Sequence, residues 1–283
     1  MQDYAYYNGV FCPYDAMTIP LSDRSIFFGD AVYDVMIGAL GVPYQANEHF
    51  SRLFKNAKQI GLVDLPDADE MLKIIFSLVE LSRADEFIIY IQLSGRGARR
   101  GHLRSEDGVN LLVTITEAAI PSKLEYSRAI TLPDERHRLC DIKSTNLLSA
   151  VMSVKTAKDS GTDIAIFHRG EDVTECSYAN LSMYKDGVLV FHPFDRDILD
   201  GITQRNLTRL CEELSVKTEE RIIKTNELLQ ADFVIYTSTT KFFKIVESVN
   251  GIDLSARNLQ VANKLFDALK EDFWKQIQDK CSV

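Results

Sequence analysis

The feature that most constrains the fold is a short break near the middle of the chain, at Glu117-Ala118-Ala119-Ile120-Pro121-Ser122. Its residues follow neither the helical nor the strand period, although periodic apolar segments stand on both sides. A chain of 283 residues is long enough for two domains of ordinary size. We therefore predict an N-terminal domain over residues 1–118, a linker over 119–122 and a C-terminal domain over 123–283.

Strand and helix patterns mix in both halves, which indicates an α/β or α+β class. Asn8-Gly9 is a strong two-residue turn signal and predicts a hairpin over residues 4–13. Asn47 is read as the N-cap of a helix, and Pro66-Asp67 opens a second one. Further strands are predicted at 31–37, 42–45, 87–93, 111–115, 129–132, 164–168, 181–184, 188–191 and 233–237, and helices at 147–160, 203–214 and 259–277.

Composition excludes several functional classes. A net charge of −9 disfavours nucleic acid as a partner, because affinity for nucleic acid depends largely on phosphate neutralisation. The five cysteines are scattered without a Cys-x-x-Cys pair, which argues against disulfides or a zinc site and for a reducing compartment. No apolar run reaches the length of a membrane span, and the N-terminus lacks a secretory signal pattern. We expect a cytoplasmic protein with no metal site and no membrane partner.

One lysine stands at the head of an ordered series of reactive groups. Lys143 lies in Asp141-Ile142-Lys143-Ser144-Thr145-Asn146 and is followed by Glu175, by Gly201-Ile202-Thr203 and by Ser238-Thr239-Thr240. A lysine taken by itself is best explained as a solvated side chain. A lysine, a carboxylate and two hydroxyl-rich turns together are the parts needed to hold pyridoxal 5′-phosphate (PLP).

Each part of this series meets one need of PLP chemistry. Lys143 is the candidate amine for a Schiff base with the aldehyde. Glu175 is the candidate anion that keeps the ring nitrogen protonated. Ile202 and Thr203 are predicted at a helix N-terminus, where amides and the helix dipole favour a phosphate. The turn Ser238-Thr239-Thr240 supplies further hydroxyls.

In this order and spacing, the segments resemble the fold-type IV, or class IV, aminotransferases over nearly the whole chain. The resemblance implies a small N-terminal α/β domain, a larger C-terminal pseudo-barrel domain, PLP as cofactor and a homodimer. It also implies that Arg52, in Asn47-Glu48-His49-Phe50-Ser51-Arg52-Leu53, is the family's phosphate-binding arginine. Without the resemblance, Arg52 would pass for the polar face of its helix.

Three residues of the N-terminal half resemble the substrate site of D-amino acid aminotransferases. Tyr33 stands where those enzymes carry a tyrosine that contacts the substrate carboxylate. Arg100 and His102 form an Arg-x-His pair that, in those enzymes, reaches the site from the neighbouring subunit. A guanidinium can bind a carboxylate through two parallel hydrogen bonds, and tyrosine and imidazole add donors. The resemblance implies transfer of an amino group from a D-amino acid, D-alanine in particular, to a 2-oxo acid such as 2-oxoglutarate.

Other functions remain open on the same residues. Branched-chain aminotransferases and aminodeoxychorismate lyases share the cofactor parts, and a binding protein could retain the fold without turnover. The segment 95–102, rich in glycine and arginine, could also be a nucleotide-phosphate or RNA loop, although it fits no phosphate-loop pattern. The sequence departs from the family where Cys176 replaces a glycine, where Tyr178-Ala179 replaces small hydroxyl residues, and at Lys241-Phe242-Phe243-Lys244.

Overall fold

The computed structural model describes residues 2–97, 100–104, 108–254 and 257–281. Two compact units are present. The first comprises Met1–Ile120, Ile142–Asn146 and Phe273–Val283, and the second comprises Pro121–Asp141 and Leu147–Asp272. The first unit therefore includes a short segment around Lys143 that is distant in sequence from the rest. The domain boundaries inferred from the sequence stay a prediction.

Strands and helices are distributed over both units. The strands are β1 Tyr4–Tyr7, β2 Val10–Pro13, β3 Ala31–Ala39, β4 Val42–Pro43, β5 Glu86–Gly95, β6 Val109–Glu117, β7 Glu125–Pro133, β8 Ile164–Arg169, β9 Asp172–Cys176, β10 Asn180–Lys185, β11 Val188–Phe191, β12 Lys217–Glu220, β13 Ile223–Lys224, β14 Phe233–Ser238, β15 Phe242–Val249 and β16 Ile252–Asp253. The helices are α1 Arg24–Phe28, α2 Ala46–Gln59, α3 Ala68–Ser82, α4 Leu148–Asp159, α5 Ile202–Glu213, α6 Thr225–Leu228 and α7 Leu259–Cys281.

The first unit is built on a six-stranded antiparallel sheet in the order β2-β1-β6-β5-β3-β4. The predicted hairpin of β1 and β2 is confirmed, and Asn8 and Gly9 both have positive φ, as a type I′ turn requires. Apolar side chains of α2 and α3 pack on β3, β5 and β6. Phe50, Leu53 and Ile75 are among the fully buried members of this core.

The start of α2 differs from the prediction. The helix begins at Ala46 after Gln45, whose backbone is left-handed, and no side chain of the N-cap residue bonds the first turn. The interpretation of Asn47 as the N-cap is therefore wrong, because Asn47 lies inside the helix. Asp67 does cap α3 as predicted, since its side chain accepts from the Glu70 amide.

The second unit is built on a ten-stranded mixed sheet in the order β12-β11-β10-β14-β15-β7-β8-β9-β13, with β16 paired to β15. The pairs β11–β12, β15–β7 and β7–β8 are parallel. Its core is formed by apolar side chains of the sheet, including Ile164, Met183 and Val234. The predicted mixed α/β class is confirmed.

The local sequence patterns predicted most of the helices and strands, but the observed bounds differ from the predicted ones. Strands β5, β6 and β7 extend beyond the predicted 87–93, 111–115 and 129–132. The prediction missed β9 and β15, whose sequences contain Glu175 and Phe242-Phe243. Among the described helices, none combines the length and the apolar character that crossing a membrane would need.

Candidate active site

Lys143 is attached through its backbone to strand β3. Its amide donates to the Asn56 side chain at 2.7 Å, and its carbonyl accepts from the Tyr33 amide at 2.9 Å. Ser144 forms an isolated antiparallel bridge with Val32. The Lys143 Nζ atom lies 4.5 Å from the centroid of the Tyr33 ring, which is within range of a cation–π contact. Lys143 is half-buried in an extended segment rather than at a helix start.

A buried ionic cluster lies on the same strand, one residue after Tyr33. Asp34 is fully buried and accepts from Arg52 Nε at 2.8 Å and from Arg52 Nη2 at 2.7 Å. The Asp34 carboxylate also lies 2.7 Å from His49 Nδ1. Burial opposes ionisation of Asp34, but the Arg52 charge outweighs it and keeps the pKa of Asp34 well below its ordinary value. The predicted phosphate-binding Arg52 thus has a fixed carboxylate partner.

Burial has the dominant influence on His49. It lowers the pKa of His49 below the ordinary 6.5, and the neighbouring Asp34 carboxylate offsets this only in part. His49 is therefore neutral near pH 7 and its Nδ1–H donates to Asp34.

The candidate anion, Glu175, lies in the second unit. It lies at the end of β9, nearly fully buried, rather than in a turn. One carboxylate oxygen accepts from Arg136, and the other accepts from Asn180 Nδ2 and from the Leu199 amide, both at 3.1 Å. These donors hold the carboxylate in one orientation.

Arg136 is itself fixed by a second carboxylate. Asp134 accepts from Arg136 Nε at 2.9 Å and from Arg136 Nη2 at 2.8 Å, which is a bidentate pair. Burial opposes the charge on Arg136, but the adjacent Asp134 and Glu175 raise its pKa. Arg169 pairs with both Asp134 and Asp197 and extends the cluster.

Helix α5 begins at Ile202, so the prediction that Ile202 and Thr203 lie at a helix N-terminus is confirmed. The N-cap is Gly201, which has no side chain to cap the first amides. A Cβ atom on Gly201 would lie 1.9 Å from the Asn180 Oδ1 atom, so the backbone approaches Asn180 as closely as only glycine allows. The first turn of α5 thus offers amides and a helix dipole to an anion.

The turn Ser238-Thr239-Thr240 links β14 to β15. The Lys241 amide donates to the Ser238 carbonyl at 3.2 Å, and Phe242 follows with a left-handed backbone, φ 54°. Such a conformation is strained for a bulky residue. The buried Phe242 ring packs against Phe266 and so holds this end of the turn.

The Arg-x-His segment is held by arginines around Asp30. Arg24 donates to the carbonyls of Gly101 and His102 at 2.7 and 3.1 Å, and to Asp30 at 2.6 Å. Arg104 donates to the same carboxylate at 2.9 Å. Burial opposes ionisation of Asp30, but Arg104 and Arg24 hold its pKa below the ordinary value. The backbone carbonyls of Gly101 and His102 are therefore anchored by Arg24.

The side chains of Arg100 and His102 are exposed and lie beside Phe28. The Arg100 guanidinium is 5.4 Å from the centroid of that ring. Tyr33 instead stacks on Tyr90 with centroids 5.4 Å apart. Within the described part of this chain, no contact joins Tyr33 to Arg100 or His102.

The structure brings Lys143, Tyr33 and Arg52 together around β3, and it brings Glu175 and its donors together around β9. Sequence reasoning missed Asp34, His49, Asn56, Arg136 and Asn180. A signal existed for Asp34, because it is a single charge inside an apolar run. His49 and Arg52 lie three residues apart on one helix face, which is a second signal. Arg136 lies in a charged stretch that offered no distinguishing pattern.

Comparison with known proteins assigns the family. The model of amino-transferase class IV matches residues 31–249. The chain therefore belongs to the class IV aminotransferases, and it is a PLP-dependent transaminase of fold type IV.

The chain is similar to D-alanine aminotransferase of Bacillus licheniformis, with 34% identity over 252 residues, 87% of this chain and 88% of that protein. It is also similar to a solved structure of a putative 4-amino-4-deoxychorismate lyase from Legionella pneumophila. That similarity has a TM-score of 0.83, 25% identity and coverage of 91% of this chain and 97% of the other. The fold matches branched-chain amino acid aminotransferase of Escherichia coli, with a TM-score of 0.87, 21% identity and coverage of 96% and 95%.

The side chains present fit PLP. Lys143 supplies a primary amine, half-buried beside the Tyr33 ring, of the kind that forms a Schiff base with an aldehyde. Glu175 supplies a buried carboxylate already oriented by three donors. The start of α5 supplies backbone amides beside a glycine that admits close approach. An amine, an anion and an anion-binding helix end are the three groups that the aldehyde, ring nitrogen and phosphate need.

Proposed function

We propose that this transaminase acts on D-amino acids, D-alanine in particular, and passes the amino group to a 2-oxo acid such as 2-oxoglutarate. The observation that carries the proposal is the combination of Tyr33 beside Lys143 with an anchored, exposed Arg100 and His102. The identity to a D-alanine aminotransferase over most of both chains supports it. Branched-chain aminotransferase and aminodeoxychorismate lyase activities are the alternatives, since related folds carry those names.

Seven residues of this chain hold the cofactor in this proposal. When bound, PLP supplies an aldehyde for the amino group and an electron sink for the α-carbon. Lys143 holds the aldehyde and, once displaced by substrate, moves a proton at the α-carbon. Glu175 keeps a proton on the ring nitrogen. The phosphate partners are Arg52, Ile202, Thr203, Ser238 and Thr239.

The substrate carboxylate is bound by Tyr33 together with Arg100 and His102 of a second copy of the chain. Arg100 and His102 are exposed and make no contact with Tyr33 within the described part of their own chain, which supports donation to a partner. Exposed apolar side chains near this segment, Phe27 and Leu103 among them, suit burial in a homodimer. Fixing the carboxylate determines which face of the α-carbon meets Lys143.

A side-by-side assay of D-alanine, L-leucine and aminodeoxychorismate, with 2-oxoglutarate as acceptor where one is needed, tests the proposal. We expect kcat/KM for D-alanine to exceed that for L-leucine by at least about 100-fold, because a misplaced carboxylate loses charge-assisted hydrogen bonds. Preference for L-leucine or for aminodeoxychorismate would replace the proposal with the corresponding alternative. A protein that binds PLP but turns over none of the three would be a binding protein on this fold.

Arg100→Ala tests the carboxylate site directly. We expect KM for D-alanine to rise about 10- to 100-fold while PLP remains bound, since a hydrogen bond to a charged group contributes about 1.5–3 kcal/mol. Arg128→Ala, which removes an exposed arginine on β7, is the matched control and should leave KM unchanged. Loss of PLP from the Arg100 variant would mean that Arg100 serves the cofactor instead.

A further inference from the structure

The Asp34 carboxylate accepts hydrogen bonds from three neighbouring residues of the protein. Its Oδ1 atom accepts from Arg52 Nη2, His49 Nδ1 and the Val35 amide, the last at 2.8 Å, and its Oδ2 atom accepts from Arg52 Nε. A carboxylate has about four acceptor positions. Because Asp34 is also fully buried, we expect its effect on the reaction to pass through these partners.

The principal partner is Arg52, whose guanidinium is bound to Asp34 along one edge. Asp34 uses the Nε–H and one Nη2–H of the guanidinium, so two parallel bonds fix the plane of the group. The other N–H donors point away from this edge, because the five donors form a rigid planar fork. Asp34 engages two of the five N–H donors, so the guanidinium has more donors than this carboxylate uses.

His49 adds a further hydrogen bond to Asp34 without adding charge. It lies three residues before Arg52 on α2, and its neutral ring donates to the oxygen that also accepts from Arg52 Nη2. The formal charges of Asp34 and Arg52 cancel. What the cluster offers a phosphate is consequently a set of aimed donors rather than a net positive charge.

We propose that Asp34 and His49 are positioning residues that aim the Arg52 guanidinium at the phosphate of PLP. The inference rests on the proposed role of Arg52 as a phosphate ligand. It assigns a function to two buried residues of the first unit. Because they act only through Arg52, their contribution should depend on the phosphate group and vanish when Arg52 is absent.

The test measures dissociation constants of the full-length apoenzyme by absorbance titration with PLP and with pyridoxal, which lacks the phosphate. Inorganic phosphate is measured as a competitor of PLP. We expect Asp34→Asn to weaken PLP and inorganic phosphate about tenfold or more and His49→Gln about threefold, as for other residues that orient a ligand-binding group. Pyridoxal binding should change less than about twofold. Asp34→Asn/Arg52→Ala should bind PLP no worse than Arg52→Ala alone.

Asp23→Asn is the matched control for loss of a buried carboxylate in the first unit. Asp23 is buried and accepts from Tyr7, Ser94 and Asn110, so its removal perturbs this unit without touching Arg52. PLP affinity of the control should stay within about twofold of the parent. If Asp34→Asn does not fold, His49→Gln carries the same test, because it removes a neutral donor and leaves the ion pair in place.

The other possible outcomes distinguish failure of this inference from failure of the proposed role of Arg52. Equal losses for PLP and pyridoxal would overturn the positioning role, since the phosphate would not be involved. An unchanged Asp34→Asn or His49→Gln variant beside a weakened Arg52→Ala variant would overturn it too, while leaving Arg52 as a phosphate ligand. Unchanged PLP affinity in Arg52→Ala would reject the proposed role of Arg52 and the inference with it.

Discussion

Both units bury an ion pair between a carboxylate and a guanidinium, but the group at the centre of the cluster differs. In the first unit, the Asp34 carboxylate lies between the Arg52 guanidinium and the neutral His49 ring. In the second unit, the Arg136 guanidinium lies between the Asp134 and Glu175 carboxylates. The first arrangement aims a cation, and the second orients an anion.

The two clusters differ in formal charge. Asp34 and Arg52 cancel, so the first cluster is neutral and offers directed donors instead. In the second cluster, Asp134, Glu175 and Asp197 outnumber Arg136 and Arg169 by one negative charge. Directed donors suit the phosphate contact proposed for Arg52, and a net negative charge suits the protonated ring nitrogen proposed as the partner of Glu175.

The largest effect is expected from removing the Lys143 amine of the first unit. Lys143→Ala should lower kcat at least about 10⁴-fold, because no other side chain takes over both attachment and proton movement. Borohydride reduction followed by peptide mapping should label Lys143 in the parent and nothing in the variant. Lys158→Ala, an exposed lysine on α4, should keep both activity and label. A label at another lysine in the parent would remove Lys143 from this role.

The next effect is expected from neutralising the anion of the second cluster. Glu175→Gln keeps the shape of the side chain but removes the charge, so kcat should fall about 10²- to 10³-fold, as when one electrostatic partner is lost. Glu175→Asp should recover part of this rate. The exposed Glu213→Gln serves as the control. A rate for Glu175→Gln within about twofold of the parent would show that this anion does not serve the reaction.

A smaller effect is expected in the pH dependence of stability. Because burial lowers the pKa of His49, the unfolded chain takes up a proton near pH 6.5 that the folded chain does not. The free energy of unfolding should fall as the pH drops below 6.5, with a slope of at most about 1.4 kcal/mol per pH unit from this group. Asp34 adds a second fall below its ordinary pKa of 3.8, because its folded-state pKa is lowered.

Denaturant titrations of the parent and of His49→Gln between pH 7 and pH 5 check this sign. The variant should lose stability less steeply with acid, since the group that resists protonation is gone. Equal slopes for both proteins would show that His49 titrates normally in the folded state.

The smallest effect is expected at an exposed ion pair that belongs to neither cluster. Lys155 and Asp159 lie four residues apart on α4, and both side chains are mostly exposed. Asp159→Asn should change the free energy of unfolding by less than about 0.5 kcal/mol, because solvent screens such pairs. Arg136→Met leaves the buried Asp134 carboxylate without this cation. It should lower the free energy of unfolding by about 3–5 kcal/mol under the same conditions. Similar losses at both sites would contradict the distinction between buried and exposed pairs.

Much of the local structure could be predicted from sequence. Asn8-Gly9 predicted the first hairpin, and Asp67 predicted the start of α3. The apolar period after Gly201 predicted α5 and placed Thr203 in its first turn. These features depend on residues a few positions apart, so local period and turn chemistry are sufficient. The prediction of Asn47 as an N-cap was wrong because α2 begins earlier, after the left-handed backbone of Gln45 and without a side-chain cap.

The sequence by itself determined the order of the chemical groups, Arg52, Lys143, Glu175 and the two anion-binding turns, and with it the family. Only the tertiary structure decided their partners. Asp34 meets Arg52 across 18 positions and Arg136 meets Glu175 across 39, while Lys143 joins β3 in the first unit although its neighbours in sequence belong to the second. Such pairings follow from strand register and helix packing, which bring distant side chains within hydrogen-bond distance and exclude water from them.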